Sequence, residues 1–411
     1  MKNQQWKYSA PRPSRGYWES DDVNYEDEVE AFLEQIKKYT EEMRYGTSNE
    51  DVYFIDAEVS YDENFLPHWK EFANAIEQYQ YCVKCLPKDT ETKLALFDVE
   101  LSDEVLELLS KALESTHFDC LGLKNNNLGQ AGIDFALNYL KSNQIMNKFF
   151  LYDNTIDNIK DVKQLCQIVE DHPSIERLTL AGCCGEEVDG YETLQMIINA
   201  GKSKLKLFDL SNNNINTGGD TFISDFLKDN PTLSNFWFSG NQLDNNDAIA
   251  IAGALKCNTN LVTLDLTDNN ISKDGWSALR KAEFDDTSLN SAADSNHTCA
   301  IKYPSGGDEI QGLDTSEMNG DPDSSVVFDP MYIRQKKIYS VLSSRNRECS
   351  NVGHFDDVPV ELLPDMLDPI QQYSKYHIGK DTPGQASRDV NPLSLVYEIY
   401  MPTLGQVTSC V

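Results

Sequence analysis

Cys82-Val83-Lys84-Cys85 forms a C-x-x-C pair. A zinc site needs about four ligands, and no second pair lies at a suitable distance. Dithiol exchange wants the motif where a strand meets a helix, whereas this one ends a helically patterned stretch, so a structural pair is the reading. Gly201-Lys202-Ser203 resembles the end of a phosphate-binding loop, but Met196 stands where that pattern needs a glycine. The six histidines are His68, His117, His172, His297, His354 and His377. They show neither helical metal-ligand spacing nor a nearby G-x-S-x-G serine. These residues therefore point to no catalytic set, no metal and no cofactor. The last residues, Ser409-Cys410-Val411, have the form of a tail read by strand addition and carboxylate capture.

The charge balance excludes further classes. The chain has 411 residues, with 35 Lys and Arg against 67 Asp and Glu, a net charge of −32. A phosphate backbone or an anionic membrane surface requires a cationic face. So nucleic acid and membrane are excluded as partners, and a basic protein partner is compatible. Met1–Pro13 is polar, without the apolar core of a signal peptide, and no run approaches the ~20 apolar residues of a membrane span. The ten cysteines are scattered rather than framed for disulfides, which predicts reduced thiols and a cytoplasmic or nuclear setting. The Asn296-His297-Thr298 sequon is then unused.

What must position any functional residue is a repeat. Leu205, Phe208, Leu210, Asn213, Ile215 is followed by Leu233, Phe236, Phe238, Asn241, Leu243 and by Leu261, Leu264, Leu266, Asn269, Ile271. Each copy is L-x-x-L-x-L-x-x-N-x-L. Marked by the residue opening the inner L-x-L pair, the series runs Leu94, Leu121, Phe149, Leu178, Phe208, Phe236, Leu264 and Ala292, at steps of 27, 28, 29, 30, 28, 28 and 28. A fixed period of this size is the signature of a solenoid. It leaves room for a short strand, a helix and two turns per repeat. Ile133, Leu137, Leu140, then Val162, Leu165, Ile168, then Ile223, Leu227, then Ile251, Leu255 have helical spacing after their motifs. The fold class is therefore α/β: a leucine-rich repeat solenoid, a right-handed βα horseshoe with a parallel concave sheet, outer helices and mainly helical caps at both ends. A buried column, Asn126, Asn154, Cys183, Asn213, Asn241 and Asn269, would satisfy backbone groups where each strand turns inward. It begins at Val99 and ends at His297, in degenerate terminal repeats.

These motifs resemble the ribonuclease-inhibitor class of leucine-rich repeats, the long type with a helix in every coil. That class includes Ran GTPase-activating proteins and the sensor regions of NOD-like receptors. The resemblance implies an intracellular, usually non-catalytic, protein-binding solenoid. A scaffold or adaptor binding a protein partner is the main reading, and a GTPase-activating or GTPase-regulating protein the alternative.

The flanks complete the layout. Residues 1–28 read as a polar tail and 29–90 as an N-terminal cap, with helices at Val29–Tyr45 and His68–Cys85 and a strand at Val52–Val59. The array occupies 91–302. A Gly/Asp/Ser/Pro-rich linker covers 303–330. Residues 331–411 read as a helical C-terminal cap, with helices at Met331–Arg347, Val360–Tyr376 and Pro392–Tyr400. A monomer is expected. Strand side chains alternate, so the residues between the leucines must face the groove. Most are small or polar. Phe97, Phe150, Tyr152 and Trp237 are not, and large aromatics on an open face mark binding surfaces. With Asp153, Asp209, Asp265 and Asp268 at exposed strand positions or strand ends, they form the expected partner site. Asp209 and Asp265, flanking Trp237, would hold a partner's lysine or arginine beside the indole.

Overall fold

The structure, a computed structural model, describes residues 25–45, 52–83, 91–185, 187–304, 319, 320, 322 and 329–348. Cys85 of the C-x-x-C pair, the helices expected at Val360–Tyr376 and Pro392–Tyr400, and the tail Ser409-Cys410-Val411 fall outside them. The chain divides into two compact units, Met1–Asn216 with Trp237–Asn241 and Thr217–Phe236 with Gln242–Val411.

The first unit opens with α1 (Tyr25–Tyr45), β1 (Val52–Val59) and α2 (Leu66–Val83). Strand and helix then alternate: β2 (Lys93–Val99), α3 (Asp103–Leu113), β3 (Cys120–Lys124), α4 (Gly129–Ser142), β4 (Lys148–Tyr152), α5 (Ile159–Asp171), β5 (Arg177–Ala181), α6 (Gly190–Gly201) and β6 (Leu207–Asp209). In the second unit lie α7 (Phe222–Lys228), α8 (Asn245–Leu255), β8 (Thr263–Asp265), α9 (Lys273–Glu283), α10 (Leu289–Ala293), β9 (Ala300–Lys302) and α11 (Pro330–Glu348). Strand β7 (Asn235–Trp237) has its last residue in the first. Strands β1 to β6 lie side by side in chain order in the first unit, and β8 pairs with β9 in the second, the α/β leucine-rich repeat architecture expected from the period.

Register carries the repeat. Leu94 pairs with Leu121, Leu121 with Phe149, Phe149 with Leu178 and Leu178 with Phe208, all in parallel ladders. Each of these side chains is buried, as are the helical residues Ile133, Leu137, Leu140, Val162, Leu165 and Ile168 that cover them. Burial of such a side chain contributes about 1.5–3 kcal/mol before chain entropy is charged. Helix starts are set by side-chain caps. Ser102 accepts from the Val105 amide, Asn158 from Lys160 and Asp161, and Asp189 from Glu192.

The N-terminal elements close the first repeat with an aromatic core. Phe32 lies 4.9 Å from Phe65 and 5.7 Å from Trp69, and Trp69 meets Phe72 edge-on at 5.9 Å. Strand β1 extends the sheet, pairing Val52 with Lys93 through Asp56 with Phe97.

The last repeat departs from its expected position. Ala292 lies not on a strand but in α10, whose N-cap Ser288 accepts from the Ser291 amide. Leu289, Ala292 and Ala293 point inward at helical spacing. The strand is β9, and Ile301 pairs with Leu264. A short helix has been added to this repeat, so a fixed step of 28 stops short of β9 and lands on that helix.

Candidate functional site

Two columns of backbone-satisfying side chains hold the strand ends of the first unit. Asn126 Nδ2 donates to the carbonyls of Leu96 (3.1 Å) and Val99 (2.8 Å). Asn213 Nδ2 donates to Leu180 (2.7 Å) and Leu210 (3.0 Å), and its Oδ1 accepts from the amides of Cys183 and Cys184, both at 2.8 Å. Cys183 Sγ reaches the Leu151 carbonyl at 3.1 Å, and burial pushes its thiol up. Asn241 Oδ1 accepts from Asn213 and Ile215. In the second unit Asn269 Oδ1 accepts from the Leu243 amide. A ladder side chain thus reaches back to the preceding repeat.

The residue before each ladder position is left-handed. Asp98, Asn125, Asp153, Asn212 and Asp268 have φ of 55°, 49°, 49°, 59° and 55°, and Gly182 and Gly240 take 64° and 65°. Only Gly, Asn and Asp tolerate this region readily. Asp153 and Asp268 therefore have a backbone reason to be aspartates, independent of any partner. At Gly240 a Cβ would stand 1.9 Å from Asn212 Oδ1, so any side chain there requires Asn212 to move.

The sheet face away from the helices carries the aromatic residues. Phe97 on β2 and Tyr152 on β4 meet edge-to-face with ring centroids 6.3 Å apart, and Phe150 lies 6.3 Å from Tyr152. All three are half-buried. Beneath them the face is built of small residues: Ala95, Gly122, Thr179 and Ala181 are buried. Lys93 Nζ stands 6.0 Å from the centre of the Phe150 ring, within the reach of a cation–π contact. At the strand ends Lys124 Nζ pairs with Asp98 at 3.1 Å, and Asn125 Nδ2 donates to the same carboxylate at 2.7 Å.

Not every expected site residue joins this face. Trp237 is half-buried at the end of β7. Asp209 is a correction: it is 4% exposed, not an open strand position. Its Oδ1 accepts from the Ser211 amide two residues on, at 2.9 Å. Asp265 does the same with Thr267 (3.0 Å), and its other oxygen lies 3.6 Å from Lys302. Short acids at a strand end satisfy their own turn, so neither carboxylate is spare. Asp153 and Asp268 are exposed.

A second column, at the turn from helix to strand, escapes the sequence reading. His172 Nε2 donates to the Asn143 carbonyl at 2.9 Å, while Nδ1 accepts from the amides of Ser174 and Ile175. These bonds fix the tautomer, and burial holds the ring's pKa below its ordinary value. Lys204 Nζ caps the carbonyls of Val169, Glu170 and His172. In the second unit Asn258 accepts from Asn260 and Leu261 and donates to Leu227, and Asn296 accepts from Thr298 and Cys299 and donates to Leu255. Asn319, inside the expected linker, donates to Asn296 and Cys299. His297 is not on the strand-end ladder; its Nε2 bonds to the Ala293 carbonyl. The signal was a polar residue six places before Phe149, Leu178 and Leu264.

No family model matches the chain. It is 29% identical over 194 residues to mouse NACHT, LRR and PYD domains-containing protein 9C, covering 46% of this chain and 19% of that protein. It is 28% identical over 237 residues to mouse protein 9B of the same series (56% and 21%), and 29% over 202 residues to human protein 5 (46% and 16%). The chain thus spans about a fifth of the length of these relatives. An internalin of Listeria monocytogenes, 13% identical, aligns over 61% of this chain and 92% of that one with a TM-score of 0.28, a likeness that carries no weight for the fold. No described helix is long and apolar enough to cross a membrane. The motif at its fixed period, one strand and one helix per repeat, and these LRR-containing relatives mark the chain as a leucine-rich repeat protein of the ribonuclease-inhibitor type.

Proposed function

We propose that the chain is a non-catalytic scaffold that binds a protein partner on the sheet face of its first unit. Phe97, Phe150 and Tyr152 are the anchors, and Trp237 is a further contact residue. The observation that carries this reading is the aromatic cluster itself. Three rings sit on a face whose middle is otherwise built of small residues, although the hydrophobic effect favours covering them. Clustered, rigid aromatics are the side chains that dominate interface energetics. Leucine-rich repeat arrays stack units whose sheet offers an extended surface of this kind. The ladder residues, by contrast, spend their polar atoms on backbone and serve architecture.

Free thiols at Cys120, Cys183 and Cys299, all buried, fit the reducing setting expected from the cysteine pattern. The test is site-specific photo-cross-linking in cell extract. A photoreactive residue replacing Phe150 should yield a discrete protein adduct. The same residue at Lys163, exposed on α5, should not. An adduct at Lys163 with none at Phe150 would move the binding surface to the helices.

A further inference from the structure

We propose that the aromatic face takes a partner segment bearing an arginine next to an apolar residue. The apolar side chain rests on Phe97 and Phe150, and the guanidinium lies beside Tyr152 among the carboxylates of Asp56, Glu58, Asp98 and Asp153. This rests on the docking reading above and adds the chemistry of the occupant.

The charge around the face is sorted by position. Lys93, Lys148 and Arg177 stand in register at the starts of β2, β4 and β5, with Lys148 Nζ held by Glu91 at 2.7 Å. The strand ends are acidic. Asp56 pairs in register with Phe97, Glu58 follows on β1, and Asp98 near the end of β2 and Asp153 just after β4 are left-handed. Among the described residues the cation paired with this corner is Lys124, bound to Asp98. Four carboxylates thus share one ammonium. Burial first, then the nearby Asp98, raise the carboxyls of Asp56 and Glu58, and burial raises that of Asp153. Lys124 offsets only part of this. Like charges held this close to an apolar surface are relieved by a cation from outside.

The geometry selects the guanidinium over other cations. It is planar, stacks on an aromatic ring and donates to two carboxylates at once. Asp98 follows Phe97 and Asp153 follows Tyr152 directly in the chain, and Asp56 is in register with Phe97, so aromatic and acidic residues adjoin at this corner. An acidic segment would face the same corner with unrelieved repulsion. The basic strand starts set the direction, with the partner's acidic residues at that end.

A phage-displayed library of random short peptides, panned on the full chain, tests this. The enriched consensus should pair arginine with an apolar neighbour. A resynthesised peptide should weaken about tenfold on the Asp98→Asn/Asp153→Asn variant, and similarly when its arginine is replaced by citrulline. Asparagine tolerates the left-handed backbone at both sites, so the fold is kept. A consensus without a cation overturns the proposal. So does a peptide indifferent to the two carboxylates but weakened by Phe150→Ala; in that case the docking reading survives alone. Absence of any enriched peptide, or peptides that bind Phe150→Ala and Tyr152→Ala as they bind the wild type, overturns both.

Discussion

Phe97 and Tyr152 belong to strands with one other strand between them, yet their rings meet at 6.3 Å. Strands two apart lie about 9.5 Å from each other, so the rings must lean over what separates them. In register the residue between them is Lys124, and the Phe97 ring leans instead over Gly122 of the same strand, where a Cβ would stand 3.2 Å from Phe97 Cε1. The glycine provides the floor on which the cluster rests. Gly122→Val should displace the Phe97 ring while costing the fold little, because the crowded atom is the end of a movable side chain. The ring-to-ring nuclear Overhauser contact between Phe97 and Tyr152 should disappear, with melting nearly unchanged.

The strand-end ladder makes a stability prediction. Asn213 serves two amides and the carbonyls of two repeats. Asn213→Ala leaves these buried groups unpaired, and unfolding by denaturant should fall by about 1–3 kcal/mol. Cys183→Ala, which removes a weak donor only, should cost less.

The period, the strand β1 at Val52–Val59 and the helix faces were legible in the sequence because they are written as repeated apolar spacing. The slip at Ala292 shows the limit of that signal. A helix inserted into one repeat reproduces the small apolar residues that a strand pattern asks for, and periodicity cannot tell them apart. The face residues were legible by alternation, but their side-chain direction was not. Alternation places Asp209 on the open face, and only the bond to the Ser211 amide takes its carboxylate out of play. The left-handed column, which accounts for Asp153 and Asp268, shows in sequence only as a preference for Asp, Asn and Gly. The helix-to-strand column of Asn143, His172, Asn258 and Asn296 shows in sequence only as a polar residue, mostly asparagine, shortly before each strand.

His297 makes a pH prediction. Burial, with Lys337 and Arg334 nearby, holds its pKa down to about 4, despite its bond to Ala293 and the charge of Asp294. The ordinary value is about 6.5. Between these two values the unfolded chain takes up a proton that the folded chain refuses, so stability falls as pH drops from about 6.5 to about 4. His297→Gln should flatten that part of the melting-temperature profile, and a parallel pair of profiles would show that the ring does not titrate as described.

In the second unit Lys337 of α11 is fully buried and donates to the carbonyls of Glu283 and Asn296. Glu283 is itself buried and accepts from the Tyr303 hydroxyl at 2.7 Å. Lys337→Met strands both buried carbonyls, a loss of about 1–3 kcal/mol for each acceptor left unpaired. Amides of α11 should then exchange with deuterium before those of α8. Equal protection before and after the substitution would mean that the lysine does not tether the helix.

The proposed recognition surface is the sheet face of the first unit. Its most direct test is the dissociation constant of the cross-linked partner measured against the wild type and against a Phe150→Ala/Tyr152→Ala variant of unchanged melting temperature. The account predicts a loss of affinity of at least about tenfold, since each truncated ring should cost 1 kcal/mol or more at an interface. An affinity equal to that of the wild type would contradict it.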